Sequence, residues 1–120
     1  MHRILIAMLL LSAPAMAQNT GFGANWRGTI TPGSSTRANC ASGERTVTVR
    51  RGLAEMGQRD GPGVTGTIAA HGSVTMTGGR DGRVTITGRF QGTGFTGEYR
   101  THGCVSALTL SRQGPKQAFG

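Results

Sequence analysis

The sequence predicts an all-β fold: an antiparallel meander of seven or eight short strands curled into a small barrel or roll, with one disulfide. Three observations carry that expectation. Runs in which β-branched or aromatic residues alternate with threonine and arginine recur along the chain. Glycine, 21 of the 120 residues, falls between those runs instead of forming a linker. Two cysteines stand one after the first run and one before the last.

The elements are taken in chain order. Arg3 supplies a short positive segment, Ile4 to Ser12 an apolar run, Pro14 a break and Ala15-Met16-Ala17 a small-x-small site. The apolar run is too short to span a bilayer and fits an export signal. We therefore expect 1–17 to be a signal peptide cleaved before Gln18, followed by a flexible N-terminus over 18–24. The barrel-like domain is expected over 25–113 and a flexible tail over 114–120. The expected location is the periplasm or the medium of a bacterium. An exported chain meets an oxidising compartment, where an even cysteine count reads as a bridge. Cys40 and Cys104 are the pair, and the chain-entropy model assigns the loop between them roughly 4 kcal/mol.

Trp26 to Thr31 is the first strand run, Arg45 to Arg50 the second, and Leu53 to Met56 a weak third. Val64 to Ile68, Ser73 to Thr77, Val84 to Phe90, Phe95 to Arg100 and Val105 to Arg112 complete the set. Their period of two is the signature of a half-buried strand. No segment keeps a 3.6-residue pattern, so no helix is expected after residue 17. Asp60-Gly61 and Asp81-Gly82 read as two-residue type I′ turns, with His71-Gly72 and His102-Gly103 at equivalent breaks. The repeat G-x-V-T-x-T-G, at Gly72 to Gly78 and Gly82 to Gly88, reads as two similar hairpin strands.

Alternation assigns the two faces. Trp26, Ile30, Val47, Val49, Val64, Ile68, Val74, Met76, Val84, Ile86, Phe90, Phe95, Tyr99, Leu108 and Leu110 share the inward parity. Ten threonines share the outward one with Arg27, Arg50, Arg89 and Arg100. Gly28, Gly66, Gly88 and Gly97 fall inward, where they permit strong curvature and leave room for a ring from a neighbouring strand. A sheet with one apolar face and no helix to cover it must curl on itself.

Little in the chain points to catalysis. The only acids are Glu44, Glu55, Asp60, Asp81 and Glu98. A Ser73-His71-Asp81 set lacks the look of a nucleophile elbow, and a general base on a turn tip is solvated and unoriented. His71 and His102 make at most two metal ligands, short of a structural zinc site. We therefore expect no enzyme, no cofactor and no metal. The charge is +8, with arginine supplying all the basic residues but Lys116. Such a balance favours polyanions. Export excludes nucleic acid as the natural partner and leaves an envelope protein or an anionic envelope polymer or lipid. Arg27, Arg50, Arg89 and Arg100 are the candidate anion-binding residues. The threonine ladders raise ice binding, but threonine is ordinary on the wet face of a strand, and twist spoils a flat lattice.

The run from Trp26 to Arg112 resembles small exported all-β domains of proteobacteria whose activity is uncharacterised. Trp26-Arg27-Gly28-Thr29-Ile30, Cys40, the G-x-V steps at Gly72 and Gly82, Phe95-Thr96-Gly97-Glu98-Tyr99 and Cys104 carry the likeness. A looser one is to small bacterial barrels such as metalloprotease inhibitors. Avidin's tryptophan set and the lipocalin G-x-W opening are missing. The resemblance implies a fold and no site. The functional expectation is a non-enzymatic exported binding or accessory module. The alternatives are an inhibitor of an envelope protease or lysozyme, and a small-molecule carrier.

Overall fold

In the computed structural model eight antiparallel strands run up and down in chain order and close, first against last, into a barrel. The structure describes residues 20–35, 40–58 and 61–114. The signal segment, Asp60, and the tail beyond Gly114 lie outside them. The strands are β1 (Ala24–Ser35), β2 (Gly43–Arg50), β3 (Leu53–Gln58), β4 (Gly61–Thr67), β5 (Ser73–Gly78), β6 (Val84–Gln91), β7 (Gly94–Thr101) and β8 (Cys104–Gln113). The only helical pieces among the described residues are 3₁₀ turns at Thr20–Phe22 and Arg80–Gly82. Closure removes the free edges that an open meander would leave. Cys40 and Cys104 form the expected disulfide, with Cα atoms 5.6 Å apart, beside the β1–β8 seam.

Every apolar and aromatic side chain assigned to the inward parity is buried. Ala24, Ala54, Met56, Cys104 and Ser106 join them. Each fully buried large side chain contributes roughly 1.5–3 kcal/mol over an exposed one. The inward glycines do what curvature requires. A Cβ on Gly88 would lie 2.5 Å from Phe95 Cζ and collide with the Thr96 carbonyl, and one on Gly97 would meet the same ring at 2.9 Å. The Phe95 ring therefore lies over two bare backbone positions on paired strands. The outward face carries threonine in paired rows, Thr75 opposite Thr87 and Thr77 opposite Thr85. The two copies of the internal repeat are thus neighbouring strands.

Two expectations need correction. The type I′ turn falls on Arg51-Gly52, with φ of 54° and 79°, and joins β2 to β3. Asp81-Gly82 instead lies in a five-residue connection, because the last β5–β6 pair is Gly78 with Val84. The segment expected to be flexible up to residue 24 is structured from Thr20 onward. Phe22 packs against Trp26 and Phe90, with centroids 6.3 and 5.6 Å away, and its carbonyl accepts a 2.9 Å bond from Trp26 Nε1.

Because the chain reverses at every turn, the connections alternate between two ends. The lower end holds the Thr20–Phe22 turn and the β2–β3, β4–β5 and β6–β7 connections. The upper end holds the β1–β2, β3–β4, β5–β6 and β7–β8 connections and the disulfide.

Candidate functional site: an arginine-lined cleft at the upper end

The upper end opens where β2 and β3 part. Their ladder runs from Arg50–Leu53 at the turn to Val47–Met56 and stops there. Beyond it β2 continues through Thr46, Arg45, Glu44 and Gly43 along β1, while the end of β3 follows β4. The cause is local. The β3–β4 register slips between Met56–Val64 and Gln58–Gly61, so one residue on β3 faces two on β4. Such a bulge bends its hairpin, and Gly57, Gly61, Pro62 and Gly63 offer little side chain to resist the bend. A Cβ on Gly57 would have no heavy atom within 4 Å.

The cleft so formed has a volume of about 1040 Å³. Its charged walls come from four separate parts of the barrel. Arg27 reaches it from β1, Glu44, Arg45 and Thr46 from β2, Arg80 and Arg83 from the β5–β6 connection, and His102 from the β7–β8 turn. Among the described residues, four arginines and a histidine thus line the cleft with one carboxylate, that of Glu44. Planar guanidinium groups suit phosphate and carboxylate, which they bind with two parallel N–H donors. Arg45 is partly committed. Its Nη1 donates to the carbonyls of Ser42 at 3.1 Å and Glu44 at 2.8 Å.

Gln58 and Val84 lie at the inner side of the cleft. Gln58 Nε2 donates to Tyr99 Oη at 3.2 Å and so links the cleft to the barrel interior. Across from Tyr99 on β8 sits Ser106, whose buried Oγ has no hydrogen-bond partner among the described residues.

The structure separates the four arginines singled out by parity. Arg27 lines the cleft, and Arg100 borders an adjoining depression with Arg83 and His102. Arg100 Nη2 also pairs with Glu98 at 2.9 Å, and both side chains are more than half exposed. Arg50 instead lies beside Arg51, Leu53 and Glu55 near the lower end. Arg89, also low, donates from Nε to the His71 carbonyl at 3.0 Å. The four do not form one patch. His71 and His102 sit at opposite ends, as do His71 and Asp81, so neither the metal pair nor the Ser73-His71-Asp81 set is assembled. Among the described residues no group of three or more metal-ligating side chains exists.

Strand parity misses Arg45, Arg80, Arg83 and His102. A signal for three of them was present: in an up-and-down meander every second connection shares an end, so Arg80, Arg83 and His102 had to be neighbours. No helix among the described residues is long and apolar enough to cross a membrane. No protein-family model matches the chain, and no curated protein or solved structure is detectably similar to it.

Proposed function

We propose that this protein is a non-enzymatic exported binding module of the bacterial envelope, which holds an anionic group of its partner in the upper cleft. The observation that carries the reading is the convergence of Arg27, Arg45, Arg80, Arg83 and His102 on a cleft whose only acid among the described residues is Glu44. Elements far apart in sequence supply them. A cluster of cations in a concave site raises the local concentration of anions and steers their approach. Export is supported by the Arg3-to-Ala17 signal pattern and by the disulfide, which needs an oxidising compartment. The resemblance to small exported proteobacterial domains agrees with it. The carrier reading loses ground because Trp26, Phe90, Phe95, Met56 and Met76 occupy the interior.

The test is calorimetric titration with tripolyphosphate and with polyglutamate at two ionic strengths. Affinity is expected to fall as salt rises. Arg80→Glu with Arg83→Glu should abolish it, whereas Arg50→Glu with Arg89→Glu, the same charge change at the lower end, should leave most of it. Equal loss in both double variants would reduce the effect to net charge and dismiss the cleft as a site.

A further inference from the structure

We infer that the upper end takes a linear phosphate chain, one stretch of which fills the cleft while the next runs past Arg83 and His102 into the adjoining depression and reaches Arg100. This ligand class rests on the cleft reading above. The depression follows from strand register. Thr85 on β6 lies opposite Arg100 on β7, and both point away from the core, since alternate residues of a strand share a face. Arg83 and His102 stand two residues further toward the upper end of the same two runs. With Thr101 these four line a hollow of about 660 Å³. Thr85 and Thr101 are half-buried, whereas Arg83, Arg100 and His102 are exposed. Arg83, Thr101 and His102 also line the cleft, so the two hollows meet along these residues. Among the described residues no acid lines the second one.

The linings select the ligand. The depression offers guanidinium, imidazole and hydroxyl groups, and no aromatic side chain lines either hollow among the described residues. Leu53, the one exposed large hydrophobic residue among them, lies near the lower end. A sugar ring or a base therefore has no aromatic face to stack on, and an acyl chain has no apolar surface to cover. A chain that is anionic at every unit meets donors along its whole path. Guanidinium groups bind oxygens in pairs. A phosphate carries its oxygens tetrahedrally and can be held from two walls at once, whereas a carboxylate has both of its oxygens in one plane. The cleft has arginine on separate walls, Arg27 and Arg45 from β1 and β2, Arg80 and Arg83 from the β5–β6 connection. Arg100 is oriented in advance. Its Nε and Nη2 donate to Glu98 Oε1 at 3.0 and 2.9 Å, which leaves Nη1 for a ligand. Both side chains are more than half exposed, so the pair is weak enough to yield to an incoming anion.

The experiment uses the oxidised protein purified from the periplasm of an expression host. The probes are tripolyphosphate and long-chain sodium polyphosphate at one ionic strength, followed by calorimetry and amide NMR. Affinity is expressed per phosphate, so that extra binding registers on the longer chain do not count as a gain. The long chain should bind about tenfold tighter or more on that scale, because its second contact is made within the complex. It should also shift the Thr85 and Arg100 amides, which tripolyphosphate should leave in place. Arg100→Gln should keep the melting temperature and the tripolyphosphate affinity but remove the long-chain gain. Arg50→Gln, the same charge change near the lower end, should keep all three. Polyglutamate of matched length and phosphatidylglycerol vesicles should bind more weakly than the phosphate chain. The inference is overturned if the long chain gains nothing per phosphate, if Arg100→Gln keeps the gain, or if Arg50→Gln loses it equally. It is also overturned if polyglutamate or the vesicles bind as tightly as the phosphate chain. In each of these cases the cleft reading stands provided that Arg80→Glu with Arg83→Glu abolishes tripolyphosphate binding. If that double variant binds tripolyphosphate as the parent does, the cleft reading fails and the phosphate chain with it.

Discussion

The two ends of the barrel are built from the same up-and-down connections yet are finished differently. At the lower end Phe22 comes in from outside the sheet and lies on Phe90, which sits 4.9 Å from Trp26 and 4.8 Å from Phe95 between ring centroids. The β4–β5 connection closes over this group, with the Phe90 amide donating to the Gly72 carbonyl at 2.8 Å. Among the described residues the upper end has no such group of rings, only Tyr99, whose hydroxyl accepts from Gln58. It has a disulfide, a bulged hairpin leaning outward, the Gln58–Tyr99 hydrogen bond and a rim of arginine. One end is closed by hydrophobic burial, which is non-directional and strong in sum. The other is held by one covalent bond, which leaves its side chains free to be polar. On the proposed function, burial at one end and binding at the other are thereby kept apart.

That division can be broken by mutation. The largest effect is expected at the lower end, where Phe90→Ala removes the ring that all three other aromatics of the group approach. Truncations of this kind cost about 3–5 kcal/mol, and urea unfolding followed by tryptophan fluorescence, reporting on Trp26 alone, measures it. Replacing both cysteines by alanine should cost somewhat less, about 2–4 kcal/mol, seen as a lower melting temperature by circular dichroism. Because the bond spans the upper end, this variant should also loosen the cleft and weaken anion binding, which Phe90→Ala at a temperature where it remains folded should not. Smallest is Arg80→Ser with Arg83→Ser. Both residues are exposed, and substitutions at such positions stay within about 0.5 kcal/mol. A large loss of stability there would show that the rim is structural and erase the contrast.

How much of this could be read beforehand follows the same line. The wall of the barrel was legible because a strand declares itself every second residue. Thr85 and Ile86 are adjacent, yet one was assigned to the outer face and the other to the core, and the structure leaves Thr85 half-buried and Ile86 fully buried. The disulfide was legible from two cysteines and an export pattern. The ends were not. Phe22 sits in a three-residue turn, too short for periodicity to register, so its place in the core was invisible. Met56 was missed as a core residue because its strand reads Leu-Ala-Glu-Met-Gly-Gln, poor in β-branched residues. The cleft depends on a one-residue slip between Gly57 and Gly63 and on which connections share an end. Both are properties of the closed topology, and neither is local to any run of residues.

The disulfide has a further consequence, which lies in time. Seven of the eight strand pairings join neighbours in the chain and form over short loops. The eighth is the seam, in which Thr29 meets Thr109 from 80 residues away. A contact at such separation sets the pace of folding in sheet proteins, since its loop-closure entropy must be met before it yields any stability. Once Cys40 is joined to Cys104, the first residue of β8 is tied to a point only five residues beyond Ser35, its own partner on β1. By the logarithmic dependence of closure entropy on loop length, that shortening is worth about 2 kcal/mol to the closing step. In the oxidised chain the ring therefore closes as one more local hairpin would, whereas a reduced chain must search for its last seam across the length of the molecule.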